Sequence, residues 1–320
     1  MKKLLMPFII GLCSCTSERS DLQTVNEDAR IVKVGIIEMN ADVPESRWVY
    51  DEFNKFGWKS NDVLGIFPYP KGSQLEFPID IEEGVTTETA VFDGGGWAFK
   101  GGYTYSAYTP YNLLSTKGDK IQFSYANQFR RMIGSSFDLR ESMLKVSAPS
   151  TVKNGTLYFG LCNVESFLQI NLRNLPPENT YTSLTLYAEG NVIPQVKEYD
   201  LFSTKIDGKT VTITDKVLSY DNHLTIDLMN VKPVDNNILI WMAFPAIGTA
   251  YGTLTAVVKD IDGNLYVGEV LDKDGENSFE YSIDRNTRIG ANVISYTSTN
   301  SVTGSIENWE IGEVIMGSAN

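Results

Sequence analysis

The chain has 320 residues, 42% hydrophobic and 21% charged, which argues against a disordered polypeptide and leaves room for about two domains of ordinary size. It carries 27 Lys+Arg against 40 Asp+Glu, a formal charge of −13. No basic cluster offsets that charge, which argues against nucleic acid as a partner.

Met1 to Cys15 reads MKKLLMPFIIGLCSC: two lysines, an apolar stretch from Leu4 to Leu12, then Ser14 before Cys15. This is the pattern of a secretory signal over residues 1–14, too short to span a bilayer. Leu12-Cys13-Ser14-Cys15 is similar to a bacterial lipobox, with Cys15 as the lipidated first residue of the mature chain; a plain secretory signal cut elsewhere is the alternative. Residues 15–30 then read as a polar, solvated tether. With Cys13 removed and Cys15 acylated, only Cys162 remains, so no intramolecular disulfide forms and the fold must rest on burial.

Ile31 to Met39, IVKVGIIEM, is the first predicted strand, apolar enough to want cover on both faces. Arg30 stands immediately before it, either as a proteolytic processing site or as the end of a flexible tail. Val43 to Trp58 is aromatic-rich with room for a helical turn, and Asp62 to Phe67 begins a strand ended by Pro68, Pro70 and Gly72. The stretch Val91 to Tyr111, VFDGGGWAFKGGYTYSAYTPY, alternates Trp97, Phe99, Tyr103, Tyr105 and Ala107 with smaller or polar residues. Period-two alternation predicts a half-buried strand with one aromatic face, interrupted at Gly101-Gly102 and ended by Pro110. Asp119 to Tyr125 is a further strand, and Phe129 to Lys145 reads as partly helical.

Ser147 to Gly155, SAPSTVKNG, turns to small and polar residues and places a boundary between domains 31–150 and 151–320. Beyond it the alternation is cleaner, as in Leu168-Ile170-Leu172 and Leu224-Ile226-Leu228. Ile238 to Phe244, ILIWMAF, is continuously apolar and predicts a central buried strand, and Asp262-Gly263 predicts a hairpin turn. Short strands between turn residues mean an all-β chain of two antiparallel β-sandwich domains. Ile306 to Met316 ends the chain apolar, either closing the second sandwich or pairing with another subunit.

Little in the sequence points to catalysis. The single histidine, His223, sits beside a strand and reads as a surface residue, leaving no His-pair metal site and a weak case for a Ser-His-Asp triad. Ser142 to Lys145 matches S-x-x-K without the K-T-G strand its chemistry needs, so it reads as chance, at exposed positions. Asp260/Asp262 before Gly263 and Asp272/Asp274 before Gly275 echo the start of a calcium loop, but lack the closing glutamate and fit hairpin turns. No metal or cofactor is expected, and the chain reads as a non-enzyme.

One resemblance organises these elements. Trp58 to Phe67 gives W-x-x-x-D-x-x-G-x-F, Phe92 to Trp97 gives F-x-x-x-x-W, Ala107 to Tyr111 gives A-Y-x-P-Y, and Gln128 lies on a later strand. This order resembles the fimbrillin family of bacterial pilus subunits. The resemblance implies a transthyretin-like topology in each sandwich. It also implies a lipid-anchored outer-membrane location and a fimbrial subunit or adhesin that meets other subunits through donated terminal strands, with a surface receptor as a further partner. In fimbrillins that polymerise, an arginine-specific protease removes a first strand; a cut at Arg30 would instead free the tether and leave Ile31 to Met39 in place. A surface lipoprotein that binds glycan or protein without polymerising is the alternative, and a hydrolase on a β-scaffold is the weakest.

Overall fold

A computed structural model of the chain describes residues 31–36, 40–41, 58, 60, 62–70, 73–79, 89–93, 98–112, 116–117, 120–126, 128–129, 142–190, 192–208, 210–246, 253–272, 287–293 and 297–299. Every regular element among them is a strand. The first part of the chain forms β1 (Ile31–Ile36), β2 (Asn40–Ala41), β3 (Val63–Tyr69), β4 (Leu75–Pro78), β5 (Thr89–Asp93), β6 (Thr104–Thr109), β7 (Thr116–Lys117), β8 (Lys120–Ser124) and β9 (Gln128–Phe129). Then come β10 (Lys145–Ser147), β11 (Ser150–Thr151), β12 (Thr156–Asn163), β13 (Ser166–Arg173), β14 (Tyr181–Ala188), β15 (Ile193–Asp207) and β16 (Thr210–Asp221). The last are β17 (His223–Val231), β18 (Asn237–Phe244), β19 (Leu254–Asp260), β20 (Leu265–Asp272), β21 (Thr287–Val293) and β22 (Thr297–Thr299).

Three sheets result. The first runs β4-β3-β6-β10-β12-β1-β5, the second β18-β13-β21-β20-β19-β14-β17-β9, and the third β16-β15-β8-β7. Most pairings are antiparallel, as expected, but β1 lies parallel to β12, β21 to β13, β9 to β17 and β2 to β21. Each parallel pair joins segments far apart in sequence, the kind of connection a parallel pairing requires. The first sheet takes strands from both sides of the Ser147–Gly155 stretch.

One core of buried side chains runs through the second sheet, with Leu168, Ile170 and Leu172 of β13 and Ile240 and Met242 of β18 meeting Leu184, Leu186 and Leu224 of β14 and β17. The same core includes Phe67, Tyr108 and Val146 of the first sheet and Phe123, Tyr199 and Ile213 of the third, so the third sheet covers one face of the first. A separate cluster on the other face gathers Val32, Val34, Trp58, Leu64, Ile66, Phe77, Phe99, Tyr105, Leu157, Phe159 and Leu161.

Four strand-level expectations change. The Val91–Tyr111 stretch is two separate strands: β5 pairs with β1, and β6 with β3 and β10. β6 is buried on both faces, not one, because Tyr105 and Ala107 enter the separate cluster while Tyr108 enters the main core. The apolar β18 stands at the end of its sheet, yet its residues from Ile240 to Phe244 are all buried. The strand Ile31–Ile36 is covered on one face only: Val32 and Val34 are buried, and Lys33 between them is exposed. The aromatic segment before Trp58 and the helical reading of residues 130–141 lie outside the described residues, as do Trp97 and the apolar tail after Thr299.

Candidate functional site

The slot occupied by β1 is the first candidate. β1 is inserted between β12 and β5, with Val32 opposite Leu157 and Phe92, and Val34 opposite Phe159 and Ala90. Alternation along the strand sends both valines into the separate apolar cluster. On the outer face the Lys33 ammonium lies 5.8 Å from the ring centroid of Tyr158, which is half exposed. Withdrawing β1 would unpair the backbones of β12 and β5 together and open an apolar groove between them.

The residues of the family-like motif come together around the first sheet and its neighbours, in structural roles. Phe67 and Tyr108 stack with centroids 6.1 Å apart, and Gly65 lies against the Tyr108 ring. The Tyr108 hydroxyl donates to Gln74 Oε1 at 2.6 Å and accepts from the Asn112 N–H at 3.1 Å. Burial pushes its pKa up to about 12. Trp58 is buried in the separate cluster. Gln128 is buried, and its carboxamide donates to the Ala243 carbonyl and accepts from the Ala243 N–H, both at 2.8 Å.

A buried ionic cluster, which sequence reading missed, sits at the crossover from the first sheet to the second. Glu165 lies between β12 and β13, and Lys197 on β15; each side chain is 1% exposed. Lys197 Nζ reaches Glu165 Oε1 at 3.2 Å, Asp215 Oδ2 of β16 at 2.6 Å and the Ala246 carbonyl at 2.8 Å. Glu165 also accepts from the Tyr125 hydroxyl at 2.8 Å, from the Tyr199 hydroxyl and from the Ala246 N–H. Burial first, and the Glu165 charge second, push the Tyr199 hydroxyl well above its ordinary 10.0. The signal was parity: Lys197 falls in step with inward Tyr199 and Leu201, and Asp215 with inward Val211 and Ile213, where the pattern calls for apolar residues.

The other candidates from sequence fall as follows. His223 is a surface residue whose Nδ1 lies 3.1 Å from Asp221 Oδ1, with its ring against Tyr187. Ser142 and Lys145 are buried rather than exposed, because Lys145 opens β10 in the interior of the first sheet. The Asp260 carboxylate accepts from the Asn264 N–H and Nδ2 at 2.8 Å and from the Tyr266 hydroxyl at 3.2 Å, as the turn of the β19–β20 hairpin requires. Asp274 and Gly275 lie outside the described residues, as do Cys15 and Arg30. Among the described residues no cluster of His, Cys, Asp and Glu is arranged to hold a metal ion.

No family model matches the chain, and no curated protein matches it. Among solved structures, a candidate cell adhesion protein from Bacteroides uniformis aligns with 87% of this chain and 98% of its own, at 8% identity and a TM-score of 0.50. The likeness is one of fold. A candidate cell adhesion protein from Bacteroides ovatus aligns with 86% of this chain and 96% of its own, at 13% identity and a TM-score of 0.48. The fimbrial anchor protein Mfa2 from Porphyromonas gingivalis aligns with 79% of this chain and 82% of its own, at 12% identity and a TM-score of 0.33.

Proposed function

We propose that this chain is a fimbrillin-like subunit of a cell-surface fibre, or an adhesin associated with one, that joins its neighbours by exchanging the β1 strand. The observation that carries the reading is the place of β1, a strand at the start of the described chain that fills the interior of a sheet between two sequence-distant partners. A neighbour's strand entering that slot would recover the backbone hydrogen bonds and fill the valine positions, which is recognition by strand addition. The fold shared with the Bacteroides uniformis protein supports the same reading.

The incoming strand is the tail Ile306–Met316 of the next subunit. Trp309-Glu310-Ile311 repeats the apolar-charged-apolar order of Val32-Lys33-Val34, which the slot reads with period two. Cys15 holds the chain to the outer membrane through its acyl groups, and cleavage at Arg30 releases it with β1 still in place. Retention of a Cys15→Ala chain in the membrane fraction would contradict that anchor. The test of assembly is to delete the residues after Ser305 and run unheated gels. The deleted chain should stay a folded monomer while the intact chain gives a ladder of heat-labile oligomers. A ladder that persists unchanged would overturn the tail as donor.

A further inference from the structure

We propose that Lys197 and Asp215 condense into an intramolecular amide bond, with Glu165 carrying the proton, so that β15 and β16 are covalently stapled in the mature protein. This does not rest on the strand-exchange reading. The two residues lie on adjacent antiparallel strands, Lys197 opposite Val217 and Asp215 opposite Tyr199, so they are diagonal neighbours on the same inward face. Nζ of Lys197 and Oδ2 of Asp215 are 2.6 Å apart, a contact that holds the amine beside the carboxyl group whose Cγ it would attack.

The surroundings crowd the reacting groups together away from solvent. Two carboxylates and one ammonium share a site from which water is excluded at Lys197 and Glu165. Charges buried there give up hydration, and condensation to a neutral amide would relieve that cost. The ammonium first gives a proton to Asp215 along their hydrogen bond. The free electron pair of Nζ then attacks Cγ of the neutral carboxyl group. The second proton passes from nitrogen to Glu165 Oε1, 3.2 Å away, and Glu165 returns it to the departing hydroxyl. One C–N bond forms, one C–O bond breaks, and one water leaves; no oxidant or co-reactant is consumed. Asp215 is 21% exposed, which gives the water a way out. Afterwards Glu165 remains a carboxylate held by the Tyr125 and Tyr199 hydroxyls and the Ala246 N–H, and the buried ammonium is gone.

The test is a peptide map of the purified, folded full chain by tandem mass spectrometry. The expected result is a branched peptide joining the segments around Lys197 and Asp215, lighter than their sum by one water, with no cleavage after Lys197 by trypsin. Glu165→Gln and Lys197→Arg chains should yield only the two linear peptides. Linear peptides alone from the folded native chain overturn the proposal even if the variants fail to fold. A branched peptide that persists in E165Q overturns the role given to Glu165.

Discussion

Gln128 is joined to Ala243 by two side-chain-to-backbone hydrogen bonds of 2.8 Å, and this pair links the two ends of the second sheet. Gln128 belongs to β9, the last strand of that sheet, and Ala243 to β18, the first. The carboxamide supplies the donor and acceptor that another strand would offer, so the apolar end strand β18 is not left as a bare edge. Gln128→Ala should leave two buried backbone groups unpaired, at a cost of about 2–4 kcal/mol. Urea unfolding checks this; a midpoint unchanged from the native chain would contradict it.

Gly65 answers to a different constraint. A Cβ built there would lie 2.7 Å from Cζ of Tyr108 and 2.9 Å from Cδ1, with Cε1 nearer still. The ring cannot swing away, because its hydroxyl is tied to Gln74 and Asn112 and its face to Phe67. Gly65→Ala should therefore destabilise by about 1–3 kcal/mol through overpacking, read as a lowered Tm. The paired substitution Gly65→Ala with Tyr108→Leu should recover part of that loss relative to Tyr108→Leu alone, and strict additivity would contradict the contact.

These two residues mark how much was legible. The order of Trp58, Gly65, Phe67, Tyr108 and Gln128 pointed to the family-like fold, because each fills a place that admits few residue types. Alternation also found the inward faces of β13 and β17. What it could not give was pairing between distant segments. Nothing local in IVKVGI says that it lies parallel to β12, or that β15 and β16 leave the second half of the chain to cover the first sheet. The ionic cluster was hidden for the same reason, since Glu165, Lys197 and Asp215 meet only after three strands are placed.

Alkaline pH should weaken the fold through groups kept neutral by burial. Burial pushes the Cys162 thiol from 9.0 to about 12 and the Tyr108 hydroxyl from 10.0 to about 12. Both hold their protons more tightly when folded than when unfolded. Their contribution is therefore complete below the unfolded values and is lost as pH rises through the window from 9.0 to about 12. Stability measured by chemical denaturation should fall progressively across that window. Cys162 should also fail to react with a thiol reagent at pH 8 until the chain is unfolded; rapid reaction in the folded state would contradict its burial.

Lys145 and His223 should separate sharply. Lys145 is 6% exposed on β10, whereas the His223 side chain is 41% exposed. His223→Ala should change stability by less than about 0.5 kcal/mol, and Lys145→Ala by more than about 1 kcal/mol, without either touching surface assembly through chemistry. Assembly lost in a His223→Ala chain that melts normally would reopen a role for the histidine.

The most direct test of strand exchange is to begin the chain after Glu38, which removes β1, and to add a synthetic peptide of Ile306–Met316. Amide hydrogen exchange is then followed at Leu157 to Leu161 of β12 and Thr89 to Phe92 of β5, the neighbours of the empty slot. The peptide should bind one to one, slow exchange at both segments and raise the Tm, while a peptide with Trp309 and Ile311 changed to Asp should do neither. A trimmed chain whose two segments stay protected without any peptide, or one that no tail peptide protects, would contradict the exchange of β1.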